Sequence, residues 1–113
     1  MKRLVLYILA LITSAGIVAG VASAQESRLK NIKVLTGMSD ADIQRQMQTW
    51  SKALGTNCVY CHQQGDFASD ENPKKEIARK MAAMVKAMNT DFFAGEAKIN
   101  CVLCHRGATV PEG

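Results

Sequence analysis

Between residues 40 and 54 the apolar positions Ile43, Met47, Trp50 and Leu54 recur at i, i+4, i+7 and i+11. That spacing draws one stripe along a helix. Ser39 suits the N-cap, Asp40 and Asp42 place negative charge in the first turn, and Gly55 is positioned to end the helix at C′. A second stripe carries Ile77, Met81, Met84, Val85, Met88 and Phe92, with Lys74, Lys75, Lys80 and Lys86 largely off it. Asn72 and Pro73 read as N-cap and N1, so this helix is predicted over about 73–92. The polar run 63–72 between the helices, rich in Gly, Asp and Ser, reads as a loop, and residues 94–100 as another. Residues 25–38 form a short mixed segment whose Leu29, Ile32, Val34 and Leu35 are expected to pack on the domain. No run suggests a strand, so the predicted class is all-α.

The N-terminus follows a different pattern. Lys2 and Arg3 precede an uncharged, almost wholly apolar stretch, Leu4 to Val21, and Ala22-Ser23-Ala24 supplies small residues in an A-x-A arrangement. This is the form of a secretory signal peptide, residues 1–24, with cleavage expected before Gln25. The competing reading is an uncleaved membrane anchor, because the stretch is about as long as a span of roughly 20 residues. Either reading exports the remainder, residues 25–113, and the expected location is the periplasm. A single domain of that size buries a modest core and needs a staple.

Charge changes the picture little. The chain of 113 residues carries 14 basic and 10 acidic side chains, and two of the basic ones are Lys2 and Arg3. The exported part is therefore near neutral, and nothing in it argues for a nucleic-acid partner.

The cysteines and histidines change it most. Cys58-Val59-Tyr60-Cys61-His62 and Cys101-Val102-Leu103-Cys104-His105 are two Cys-x-x-Cys-His motifs, and they use all four cysteines and both histidines. This is the attachment pattern of c-type haem, in which two thiols add to the vinyl groups and the imidazole ligates the iron. Two haem c groups would serve as the staple, and the scarcity of aromatic residues fits a core filled by porphyrin. A repeat emerges: helix with an inward Met, loop, attachment motif, then the same again. The architecture expected is a small multihaem cytochrome c of two helix–loop–Cys-x-x-Cys-His modules around two haems.

His62 and His105 are the proximal ligands on this reading. Neither iron has a second histidine available, so a Met thioether is the expected sixth ligand. Met47 sits mid-stripe on the first helix, and Met38 lies before its N-cap. Met81, Met84 and Met88 share one helix face, and a Met stripe is also ordinary core filling. Periodicity leaves Met81 and Met84 undecided, with Met88 nearer the helix end. Arg79 and Arg106 are candidate partners for haem propionates, since Arg offers a forked, permanently charged donor. The alternative for both is a solvated surface arginine.

Three readings of function compete. Electron transfer between redox proteins, a membrane-bound complex among them, needs two ligated irons and no substrate pocket. A haem enzyme such as a small peroxidase needs an open coordination site with acid–base groups beside it, and no histidine is free to serve. A zinc ribbon also uses Cys-x-x-Cys pairs, but the export signal and the histidine after each pair argue against it.

Several segments together resemble a known family. They are Met47 to Trp50, Ala53 to His62, Asp66 to Asp70, Ile77 to Met84 with Asn89, and Cys101 to Gly107. These are similar to the photosynthetic reaction-centre cytochrome c subunit over roughly residues 31–111. The resemblance implies a helix whose Met is the sixth ligand, followed by the attachment motif. It implies Met47 for the first haem and Met81, the first Met after the Ala78-Arg79 pair, for the second. The family subunit holds four haems in two such halves, and this chain corresponds to one. The stretch from Asn89 to Gly95 lacks the histidine that one family half lends to the other, which suits a stand-alone dihaem protein.

Overall fold

The computed structural model describes residues 28–112. The signal-peptide reading of residues 1–24 lies outside the described residues. Helix α1 runs Asp40–Leu54, α2 runs Pro73–Phe93, and the short α3 runs Cys101–His105. A 3₁₀ turn occupies Cys58–Tyr60. Among the described residues the only β pairing is an isolated bridge between Gln63 and Asp66. The all-α expectation holds.

Each helix starts and stops for a local reason. At α1 the Ser39 hydroxyl accepts from the Asp42 amide at 3.2 Å and donates to the Asp42 carboxylate at 2.6 Å. The Ser39 bond, with Arg45 beside it, holds the Asp42 carboxyl below the usual carboxylate range. Gly55 ends α1 in the left-handed region at φ 61°, where a residue without Cβ carries no penalty. At α2 the Asn72 side chain does two jobs: Oδ1 accepts from the Lys74 amide at 3.1 Å, and Nδ2 donates to the Tyr60 carbonyl at 3.0 Å. The helix start is thereby docked on the first motif. The interior of α2 contains no Gly or Pro, so it continues one residue past the predicted end, to Phe93. The second motif, expected to follow a loop, is itself a helical turn, capped by the Asn100 side chain on the Leu103 amide at 3.1 Å.

Helix α1 packs against α3. Their closest join is backbone to backbone: the Gly107 amide donates to the Ala53 carbonyl at 2.8 Å. Asn89 of α2 clasps the approach to the second motif, donating to the Ile99 carbonyl and accepting from the Ile99 amide, both at 2.8 Å. The lead-in lies on α1, where Leu29, Ile32, Leu35, Met38 and Ile43 line a groove of about 320 Å³.

Protein atoms alone leave the Met stripe of α2 open: Ile77, Met81, Met84 and Met88 are 54%, 45%, 49% and 37% exposed to solvent. The buried residues of α2 are Lys75 and Arg79. They lie four residues apart on the side of the helix away from the stripe. The reason is an ionic knot. Asp70 accepts from Asn31 Nδ2, Lys33 Nζ and Arg79 Nη1, each at 2.8 Å, and lies 3.3 Å from Lys75 Nζ. Arg79 also donates to the Asn31 carbonyl at 3.1 Å and to Glu76 at 3.3 Å. The knot ties the lead-in, the 63–72 loop and α2 together through the face of α2 opposite the Met stripe. Ile43 and Ala53 are the buried apolar residues of the described part, so protein atoms alone make little core.

Candidate haem-binding site

Both motifs are wound into helical turns. In the first, the Cys61 and His62 amides donate to the Cys58 carbonyl at 3.3 and 3.0 Å. In the second, Cys101–His105 is α-helical. On such a turn positions i, i+3 and i+4 share a side. Two thiols and one imidazole therefore present together, which is the chemical sense of the spacing. All four cysteines are free thiols. Burial pushes the Cys61 and Cys101 thiols up, with Lys74 opposing the shift at Cys61.

The two histidines are held alike. His62 Nδ1 lies 2.9 Å from the Phe67 carbonyl oxygen, and His105 Nδ1 lies 2.9 Å from the Ala108 carbonyl oxygen. A carbonyl oxygen only accepts, so each Nδ1 carries the proton and each Nε2 keeps its lone pair. This tautomer, fixed by a backbone acceptor, is what a metal-ligating imidazole requires. The Phe67 ring also lies against His62, centroids 5.2 Å apart.

Apolar side chains stand exposed around the donors. Val59 and Phe67 accompany the first motif, Val102 and Leu103 the second, and the Met stripe runs along α2. Exposed apolar side chains clustered in this way mark a binding surface. Free thiol pairs, a tautomer-fixed imidazole beside each, and surrounding apolar and thioether side chains together fit haem c.

The remaining predicted residues take distinct places. Met47 is half-buried on α1, and Met81 is exposed on α2 in the stripe with Met84. Arg79 is engaged by Asp70, Glu76 and Asn31. Arg106 is exposed and forms the left-handed cap of α3, directly after His105. Sequence reasoning missed Lys75, whose ammonium donates to the carbonyls of Phe67, Ala68 and Ser69 at 2.9, 2.9 and 2.7 Å. The available signal was a basic pair four residues apart, Lys75 and Arg79, on the side of α2 away from the Met stripe and just after Asp70.

A helical scaffold that presents Cys-x-x-Cys-His on wound turns defines a c-type cytochrome. The chain belongs to the photosynthetic reaction-centre cytochrome c subunit family, whose model matches residues 11–113. Cytochrome c-554 of Chloroflexus aurantiacus is 40% identical over 100 residues, covering 82% of this chain and 24% of that protein. The reaction-center cytochrome c subunit of Thermochromatium tepidum is 36% identical over 88 residues, covering 74% of this chain and 22% of that protein. The chain thus spans about a quarter of the length of these curated relatives. Among the described residues no helix is long and apolar enough to cross a membrane.

Proposed function

We propose that the protein is an exported dihaem electron carrier, with residues 1–24 as its signal peptide and residues 25–113 as the haem domain. Cys58 and Cys61 would hold one haem c, and Cys101 and Cys104 the other. His62 and His105 would ligate through Nε2, with Met47 and Met81 as sixth ligands. When bound, each iron supplies reversible one-electron chemistry. The chain's own residues do the rest: the Phe67 and Ala108 carbonyls fix the imidazoles, and the apolar side chains exclude water. Arg106, exposed beside His105, is a propionate partner on this reading, whereas the hydrogen bonds of Arg79 point to a structural role in the Asp70 knot.

The observation that carries this reading is the pair of matched bonds, His62 Nδ1 to Phe67 and His105 Nδ1 to Ala108, each at 2.9 Å beside two free thiols. A single-haem protein would need only one such arrangement. The partners on this reading are redox proteins on either side of the transfer, a membrane-bound complex among the candidates, which the relative named as a photosynthetic reaction center cytochrome c subunit supports. The test is co-expression with a cytochrome c maturation system in the periplasm, followed by redox titration. Sharp reduced c-type bands and two one-electron waves are expected. A colourless product, or rapid peroxide turnover at a coordination site lacking a Met ligand, would overturn it.

A further inference from the structure

The two proximal histidines are held by matched bonds, but their acceptors are not equivalent. The Phe67 carbonyl that accepts from His62 Nδ1 also accepts from Lys75 Nζ, both at 2.9 Å. Lys75 is only 8% exposed, and its ammonium is fixed by the Ala68 and Ser69 carbonyls as well. Among the described residues, no cationic side chain donates to the Ala108 carbonyl that accepts from His105. A buried, fully hydrogen-bonded ammonium therefore bears on one proximal ligand and not on the other.

That asymmetry has a chemical sign. A carbonyl that accepts strongly from imidazole Nδ1–H gives the ring imidazolate character, which stabilises the more positive iron state and lowers the reduction potential. A second donor on the same oxygen, and a cationic one, draws its electron density away and weakens that effect. The positive charge acts in the same direction through space, because reduction removes one unit of positive charge at the iron. Carboxylates oppose the through-space effect, Asp70 at 3.3 Å from Lys75 Nζ and Asp66 on the Ala68 and Ser69 amides, so the tuning rests on the shared Phe67 oxygen rather than on net charge.

We propose that Lys75 is a positioning residue that, through the Phe67 carbonyl, raises the reduction potential of the haem held by His62 above the value its ligands alone would set. Among the described residues no cation acts through the Ala108 carbonyl on His105, so Lys75 contributes a difference between the two potentials and biases the order in which the haems fill. This rests on the dihaem reading given above.

The test is spectroelectrochemical titration of the haem-loaded full protein with Lys75→Met, Lys75→Gln and Lys75→Arg, alongside proton NMR of the histidine ring N–H groups. In Lys75→Met and Lys75→Gln one of the two waves should move to lower potential and the other should stay. The His62 Nδ1 proton should move downfield as its bond strengthens, with that of His105 unchanged. Lys75→Arg, which keeps the charge and the donors, should restore both readings. If both waves stay put or move together in the neutral variants, the inference is wrong. Loss of the first haem from both neutral variants also overturns it, because Lys75 would then be needed to assemble the site rather than tune it. Failure of the wild type to show two waves would instead overturn the dihaem reading.

Discussion

The amide of Gly107 donates to the carbonyl of Ala53 at 2.8 Å, joining the end of α1 to the residues just after the second attachment motif. The join is close enough that Gly55 lies against the Gly107 carbonyl, where an added Cβ would collide with its oxygen. Gly55 is also left-handed, at φ 61°. Gly55→Ala should therefore destabilise the haem-loaded protein by about 1–3 kcal/mol, combining backbone strain with the displaced contact. Gly107 is left-handed too, at φ 88°, but a Cβ there meets nothing within 4 Å. Gly107→Ala should cost only the strain, about 1 kcal/mol. Denaturant unfolding of both variants checks this, and equal losses would show that the close approach carries no energy.

Asp70 is expected to contribute to the acid sensitivity of the fold, as does Asp42 at the start of α1. Hydrogen bonds from Lys33 and Asn31, then Arg79 and Lys75, hold its carboxyl well below the usual carboxylate range. A carboxyl depressed in the folded state contributes stability that is fully present above its unfolded value, about 3.9. That contribution is lost as pH falls from there towards the folded value. The wild type should lose thermal stability below about pH 4. Asp70→Asn should be less stable at neutral pH, with a shallower decline in acid. Parallel pH profiles for the two proteins would remove Asp70 from this role.

The sequence was most legible where the chain's own neighbours decide the outcome. Ser39, Asn72 and Gly55 act on amides and φ angles within a turn of themselves, so both long helices begin where predicted and α1 ends there too. The attachment motifs are equally local, since Cys and His at i, i+3 and i+4 need only one helical turn. The opposite face of α2 was not legible. Its apolar periodicity marks the Met stripe, whereas the protein contacts are made by Lys75 reaching the Phe67 carbonyl and Arg79 reaching Asp70 and Asn31, partners fixed by tertiary placement. Periodicity identifies a stripe that needs an apolar neighbour but does not say whether that neighbour is protein. Lys75 as a support for the first proximal ligand was hidden for the same reason: its partner is a backbone carbonyl of Phe67, and no side-chain pattern announces a carbonyl.

Haem stoichiometry is a direct check on the two sites. Intact mass should exceed the polypeptide by two haems. Cys58→Ser with Cys61→Ser should lose about half of the haem absorbance, and so should Cys101→Ser with Cys104→Ser. Because Ile43 and Ala53 are the buried apolar residues of the described part, each pair should also unfold more readily. Undiminished thermal stability in either would mean that the protein core stands without that haem.

The sixth ligands are the most exacting test, because sequence periodicity left Met81 and Met84 level. Both side chains stand about half exposed on the same α2 stripe, at 45% and 49%, so solvent exposure does not separate them either. Family resemblance favours Met81, and Met47 on α1 for the first haem. Ferric His/Met haem has a weak sulfur-to-iron band at the red end of the visible spectrum, and it vanishes when the thioether is lost. Met47→Ala and Met81→Ala should each remove about half of that band and lower one midpoint potential, since a thioether favours the reduced iron. Met84→Ala should keep the band and both potentials, with only a loss of packing. The discriminating result is the pair on α2: a band lost with Met84→Ala and kept with Met81→Ala would move the second ligand by one helical turn. It would leave His62, His105 and the two attachment sites as they stand, because those rest on the fixed imidazoles and not on the stripe.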